Sequence, residues 1–218
     1  MMLQRPSKIV CVGRNYAAHA AELNNPIPSE PLLFIKPPSS WAVLPKIAIP
    51  TQQGACHHEL EIAVRIAQPL RRATLREARE AIDAAALALD LTLRDVQDKL
   101  KQQGQPWERA KAFDGACVMA PWMEFSNLDV QLEQVQQSTF VLRRNGVEQQ
   151  RGDARQMLMP IAELVAHISH VFSLEAGDVI LTGTPAGVGP LTPRDMLELE
   201  WQIGSHSEKW SGQVIKND

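Results

Sequence analysis

The sequence predicts a mixed α/β chain in which strands outnumber helices. Three observations carry that expectation. Short apolar or alternating runs recur along the chain and stop at Gly or Pro, as strands do. Only two longer stretches show a helical pattern, Leu75 to Leu87 and Met157 to Phe172. Fifteen prolines against twelve glycines imply many ordered turns between short elements.

A chain of 218 residues fits one large domain or two small ones. A net charge of −3 gives no electrostatic case for nucleic acid or an anionic membrane. With one Tyr and five Phe, the core is aliphatic. Cys11, Cys56 and Cys117 are far apart and form no CxxC, so they read as reduced thiols. No stretch approaches the ~20 apolar residues of a membrane span, and the first residues show no cleavage pattern. A soluble, cytoplasmic protein is expected.

In chain order, Lys8 to Gly13 is a short buried strand ending at a glycine. Ala17 to Leu23 is a helical turn or two that sets His19 and Glu22 on one face, either as a surface ion pair or as an oriented imidazole. Asn24 to Pro31 cannot continue that helix and reads as a loop able to move over a site. Leu32 to Lys36 is a strand closed by Pro37-Pro38, and residues 39–55 are extended. In His57 to Val64, residues two apart point the same way, so Glu59 and Glu61 share one side. Two carboxylates aimed at one small volume are either solvated on an exposed face or held by a cation.

Leu87 to Arg94 alternates strictly, with four leucines on one face and Ala88, Asp90, Thr92 and Arg94 on the other. Asp90 is the candidate third oxygen ligand, and Arg94 a candidate holder of a substrate carboxylate. Asp95 to Gln103 reads as a short polar helix carrying Gln97. Lys111, in a charged segment entering a turn, reads on its own as a solvated lysine. Strands are expected near Val118 and at Thr139 to Arg143, with Asn145-Gly146 as a hairpin turn. His167 and His170, on the second helix, read as structural or exposed. Thr182 to Pro190 holds three glycines and two threonines, suiting a loop whose backbone N–H groups cradle an anion. It lacks the Lys-Ser/Thr ending of a P-loop and the following helix of a dinucleotide fingerprint. Met196 to Val214 reads as a terminal hairpin.

Six of these segments, in order, resemble the fumarylacetoacetate hydrolase family, in particular its short branch of acylpyruvases and oxaloacetate decarboxylases. They are Val12-Gly13-Arg14-Asn15-Tyr16 with His19 and Glu22, Leu33 to Pro37, His58-Glu59-Leu60-Glu61, Leu89 to Gln97, Ala110 to Asp114, and Gly177 to Gly189. The resemblance implies a β-rich rolled sheet or flattened barrel with peripheral helices, in one catalytic domain over 1–218. It implies a short extension at 1–7, a lid at 17–31 and a homodimer. It makes Glu59, Glu61 and Asp90 ligands of Mg²⁺ or Mn²⁺, and His19 and Glu22 a catalytic pair. Arg14, Arg94, Gln97, Lys111 and Thr184 match positions facing a small 2-oxo or 2,4-dioxo acid.

Three carboxylates suit Mg²⁺ or Mn²⁺ better than Zn²⁺. The expected reaction is hydrolysis of the C–C bond of a 3-acylpyruvate to pyruvate and a carboxylic acid through a metal-bound enolate. His19 and Glu22 would activate water, and Lys111 would offset developing charge. Oxaloacetate decarboxylation and oxo-acid tautomerisation use the same enolate and stand as alternatives. A non-catalytic metal and oxo-acid binding module is a further one.

Overall fold

The computed structural model describes residues 5–23, 26–125 and 128–217. Among them, eight strands form one sheet that curls into a half-barrel, accompanied by few helices. Its centre is the strand Leu60–Ile66, an unbroken apolar run apart from Glu61 and Arg65. Val179–Leu181 and Ile82–Asp90 pair with it on its two sides, both antiparallel. Ile9–Gly13 runs parallel to Val179–Leu181 and antiparallel to Leu32–Lys36. Cys117–Met119 and Trp41–Val43 extend the other flank.

Both faces of this sheet are buried. Leu60, Ile62, Val64, Leu87 and Leu89 enter the main apolar core. The opposite face carries Cys11, Ala63, Ala86, Ala88 and Cys117, which form a second cluster. Two residues beyond Ala63 and Ala88 on that face stand Glu61 and Asp90, because side chains of one strand repeat every second residue. Burial on both faces explains why Leu60–Ile66 hardly alternates in hydropathy.

A five-stranded sheet contains the expected hairpins. Thr139–Arg144 and Val147–Asp153 are joined at Asn145 and Gly146, whose φ values of 53° and 80° are the left-handed pair of a tight hairpin turn. Met196–Ile203 pairs with His206–Lys216 along its whole length. A small third sheet of Gly189–Pro190, Cys56–His58 and Thr92–Leu93 brings the glycine loop beside the acidic strand.

The structure corrects three expectations. The helix expected over Leu75 to Leu87 covers only Leu75–Glu80, and Ile82–Asp90 is a strand. Alanine favours helix in isolation, but here the alanines fill the crowded second face, and ladder pairing overrides propensity. The strand expected through Arg94 stops at Asp90. Thr92–Leu93 joins the small sheet, and Arg94 opens the helix Arg94–Gln102. A helix at Leu128–Gln136, which the sequence reading did not place, buries Leu132 and Val135. Of the expected lid, Ala17–Glu22 is helical, and Asn24 and Asn25 lie outside the described residues. No helix among the described residues is long and apolar enough to cross a membrane.

Candidate active site

Glu59 occupies the break between Cys56–His58 and Leu60–Ile66, where the chain passes from the small sheet to the large one. Asp90 ends the neighbouring strand, and its N–H donates to the Glu59 carbonyl at 2.9 Å. The backbone ladder therefore sets Asp90 opposite Glu59, with Glu61 two residues along. Ligand oxygens of the three lie within 4.8 Å of one another, and all three side chains are buried. The exposed-face reading of Glu59 and Glu61 is thereby excluded.

Three buried cations answer the three carboxylates. Lys111 Nζ stands 2.8 Å from both Glu59 Oε2 and Asp90 Oδ2. Lys36 Nζ stands 2.8 Å from Asp90 Oδ1 and also donates to the Lys111 carbonyl. Arg94 donates to Glu59 Oε1 and, through Nη1, to Gln97 Oε1 at 2.6 Å. Burial pushes the Glu59 carboxyl up, but Lys111 and Arg94 outweigh it and hold it well below the usual range. Glu61 goes the other way: burial, then Asp90 and Glu59, push it well above that range, against Lys111 and a 2.7 Å hydrogen bond from the Gly183 N–H. Burial alone lowers the Lys111 ammonium, yet Asp90 and Glu59 raise it, so it stays charged.

A divalent ion fits this set. The donors are all carboxylate oxygens, the choice of hard cations, and they lie within 4.8 Å of one another, close enough for one ion to be shared by all three. Glu61, a buried carboxyl pushed toward neutrality by its neighbours, is the group such an ion would hold ionised.

The expected dyad also forms. His19 is buried on Ala17–Glu22, and its Nδ1 meets Glu22 Oε2 at 3.2 Å. Because a carboxylate only accepts, the proton sits on Nδ1, leaving Nε2 as the basic nitrogen. The other Glu22 oxygen accepts the Gly187 N–H at 2.9 Å. The anions cradled by the glycine loop are thus the protein's own, Glu61 at one end and Glu22 at the other. Gly187 has φ +97°, and a Cβ there would stand 2.1 Å from the Gln149 carbonyl oxygen.

His19, the acidic trio, Arg14, Arg94, Gln97, Lys111 and Thr184 line one cleft, which encloses about 400 Å³ of atom-free space continuous with solvent. Arg14 sits there with a left-handed φ of 62°. Thr184 is tied back: its hydroxyl donates to the Leu60 carbonyl at 2.9 Å and accepts from Gln150 Nε2 at 2.8 Å. Three further residues escaped the sequence reading. Lys36 ends an apolar strand, and its unusual place there was the one signal available. Gln150 takes the Leu60 N–H at 2.9 Å and faces His58 Nδ1 at 2.9 Å, from a polar strand without any cue. Lys101 lines the cleft from the same helix as Arg94 and Gln97.

Comparison with known proteins agrees with this geometry. The model of the fumarylacetoacetate (FAA) hydrolase C-terminal family matches residues 8–209. An oxaloacetate tautomerase of Escherichia coli, YcgM, is 48% identical over 205 residues, covering 92% of this chain and 90% of the relative. The crystal structure of a fumarylacetoacetate isomerase/hydrolase candidate from Oleispira antarctica superposes with a TM-score of 0.91 at 51% identity, over 97% of this chain and 95% of that one. A fumarylpyruvate hydrolase from Pseudomonas aeruginosa, solved with Mn²⁺ and pyruvate, gives a TM-score of 0.85 at 31% identity, over 96% of this chain and 90% of that one. A match running through nearly every strand that builds the cleft leaves one conclusion: the chain belongs to the fumarylacetoacetate hydrolase family.

Proposed function

We propose that this protein is a divalent-metal-dependent oxaloacetate tautomerase, interconverting the enol and keto forms. One observation carries the reading: three buried carboxylates are already matched by three buried cations, Lys36, Arg94 and Lys111. A divalent ion on those carboxylates leaves two positive charges unmatched, which a dicarboxylic oxo acid such as oxaloacetate cancels and a monocarboxylic one such as acetylpyruvate does not. Charge buried without a partner is costly, so this balance selects for the dianion. The E. coli relative's name supports oxaloacetate among dicarboxylic oxo acids, and the Mn²⁺ and pyruvate of the P. aeruginosa structure support a metal and an oxo acid in this kind of cleft. Acylpyruvate hydrolysis, the first expectation from sequence, has weaker support.

Mg²⁺ or Mn²⁺ held by Glu59, Glu61 and Asp90 would supply Lewis acidity toward the 2-oxo group. Proton movement falls to the dyad. In the enol-to-keto direction one proton leaves the C2 hydroxyl and one arrives at C3. His19, with Nδ1 held by Glu22, can take the first on Nε2 and deliver it to carbon. Lys111 offsets negative charge that develops on the C2 oxygen, while Arg14, Gln97 and Thr184 shape the bed of the substrate. Residues 17–31 serve as the lid. A homodimer, which light scattering tests, and a cytoplasmic location complete the reading; three buried free thiols suit a reducing compartment.

The test is the decay of enol-oxaloacetate absorbance with Mg²⁺ and with chelator, beside pyruvate release from acetylpyruvate. Fast Mg²⁺-dependent enol decay with slow acetylpyruvate cleavage is expected. The reverse order of rates would return the protein to the hydrolases.

A further inference from the structure

Lys101 lines the cleft without an ion pair to the acidic cluster. Lys101 lies on Arg94–Gln102, four residues beyond Gln97 and seven beyond Arg94, so Arg94, Gln97 and Lys101 fall on one helix face. A rise of 1.5 Å per residue sets Lys101 about 10 Å along the axis from Arg94. Arg94 and Gln97 are buried at the inner end, whereas the Lys101 side chain is 23% exposed. Its ammonium is 5.3 Å from the centre of the Trp107 ring, and its ion pair with the exposed Asp98 is loose, at 3.9 Å. An ammonium resting on an aromatic face with one distant carboxylate keeps donors to offer.

We propose that Lys101 is a specificity-determining residue that binds the second carboxylate of the dicarboxylic substrate, the one farther from Glu59, Glu61 and Asp90. The inference rests on the oxo-acid reading of the cleft and adds where the dianion's outer charge is read. Trp107, itself packed against Phe34 with ring centres 6.0 Å apart, seats the ammonium on its ring, and both residues line the cleft. Asp98 holds the ammonium near this position when no ligand is bound. Burial and the nearby Arg94 lower the Lys101 pKa.

The test compares binding of oxaloacetate with binding of its C4-amide, 2-oxosuccinamate, which has the same size and lacks the outer charge. Calorimetry is run on Mg²⁺-loaded wild type, Lys101→Met and Lys101→Arg at low ionic strength. Wild type should prefer the acid. Lys101→Met should lose about tenfold in affinity for the acid and nothing for the amide, as expected for one partly exposed charge-assisted contact. Lys101→Arg should keep the preference. Equal losses for both ligands, no loss for either, or a wild type indifferent to the outer charge would each overturn the proposal. The expected pattern without enol decay would leave Lys101 in its role and remove the tautomerase reading instead.

Discussion

His19 is the side chain whose loss should separate chemistry from binding. Its hydrogen-bond partner is Glu22, at 3.2 Å, rather than one of the three clustered carboxylates. His19→Ala should lower the enol decay rate by ~10²–10⁴-fold, the range for removing a general base. Mg²⁺ affinity by calorimetry should stay as in wild type; a rate that survives would dismiss the dyad. Lys36 makes the opposite case. Its ammonium is fully buried against Asp90, so Lys36→Met removes one of the two ammonium groups that hold a buried carboxylate. The expected loss is about 3 kcal/mol of unfolding free energy in the metal-free protein, read from urea titration. Metal should restore part of it by supplying the missing charge. Strand alternation put Glu59 and Glu61 on one side, and the family resemblance implied that Asp90 joins them, since no local pattern brings positions 59 and 90 together. Lys36 was not legible in the sequence, because its role depends on Asp90 and Lys111, which lie more than fifty residues away.

At the scale of elements, the glycine loop is the part whose backbone does the binding. Its Gly183 and Gly187 N–H groups hold Glu61 and Glu22, so one loop sets both the acidic trio and the dyad. Gly187→Ala forces a side chain into a left-handed backbone and against the Gln149 carbonyl. It should cost more than ~1 kcal/mol of stability and lower turnover toward that of Glu22→Gln. Reduced stability with unchanged turnover would show that the loop does not hold the dyad. That the loop cradles anions was readable from its glycines. That the anions are carboxylates of the chain itself was not, since pairing across 122 and 165 residues is a property of the fold. The Ala-rich run before Asp90 was misread for a related reason: its alanines answer to a crowded sheet face, which local propensity does not register.

For the whole molecule, the site depends on how firmly the sheet holds two parallel strands that lead into it. Ile9–Gly13 runs to Arg14, and Val179–Leu181 runs to Thr182 and Gly183. Their entrances are clamped by Asp178, which is fully buried. It accepts from Lys8 Nζ at 2.5 Å, Ser7 Oγ at 2.6 Å and the Glu175 N–H at 2.8 Å. Burial pushes its carboxyl up, but the hydrogen bonds from Lys8, Ser7 and Glu175 outweigh it and hold it below the ordinary value. A carboxyl with a lowered folded pKa contributes stability above its unfolded pKa of about 3.9 and loses it as pH falls through the folded value. Asp178→Asn should therefore be less stable than wild type at pH 7, by about 2 kcal/mol for hydrogen bonds to a charged group. The gap should be constant from neutral pH down to the ordinary aspartate range and close below it. Urea unfolding of both proteins across that range gives the answer, and a gap that persists unchanged in strong acid would mean that shape, rather than charge, makes the clamp.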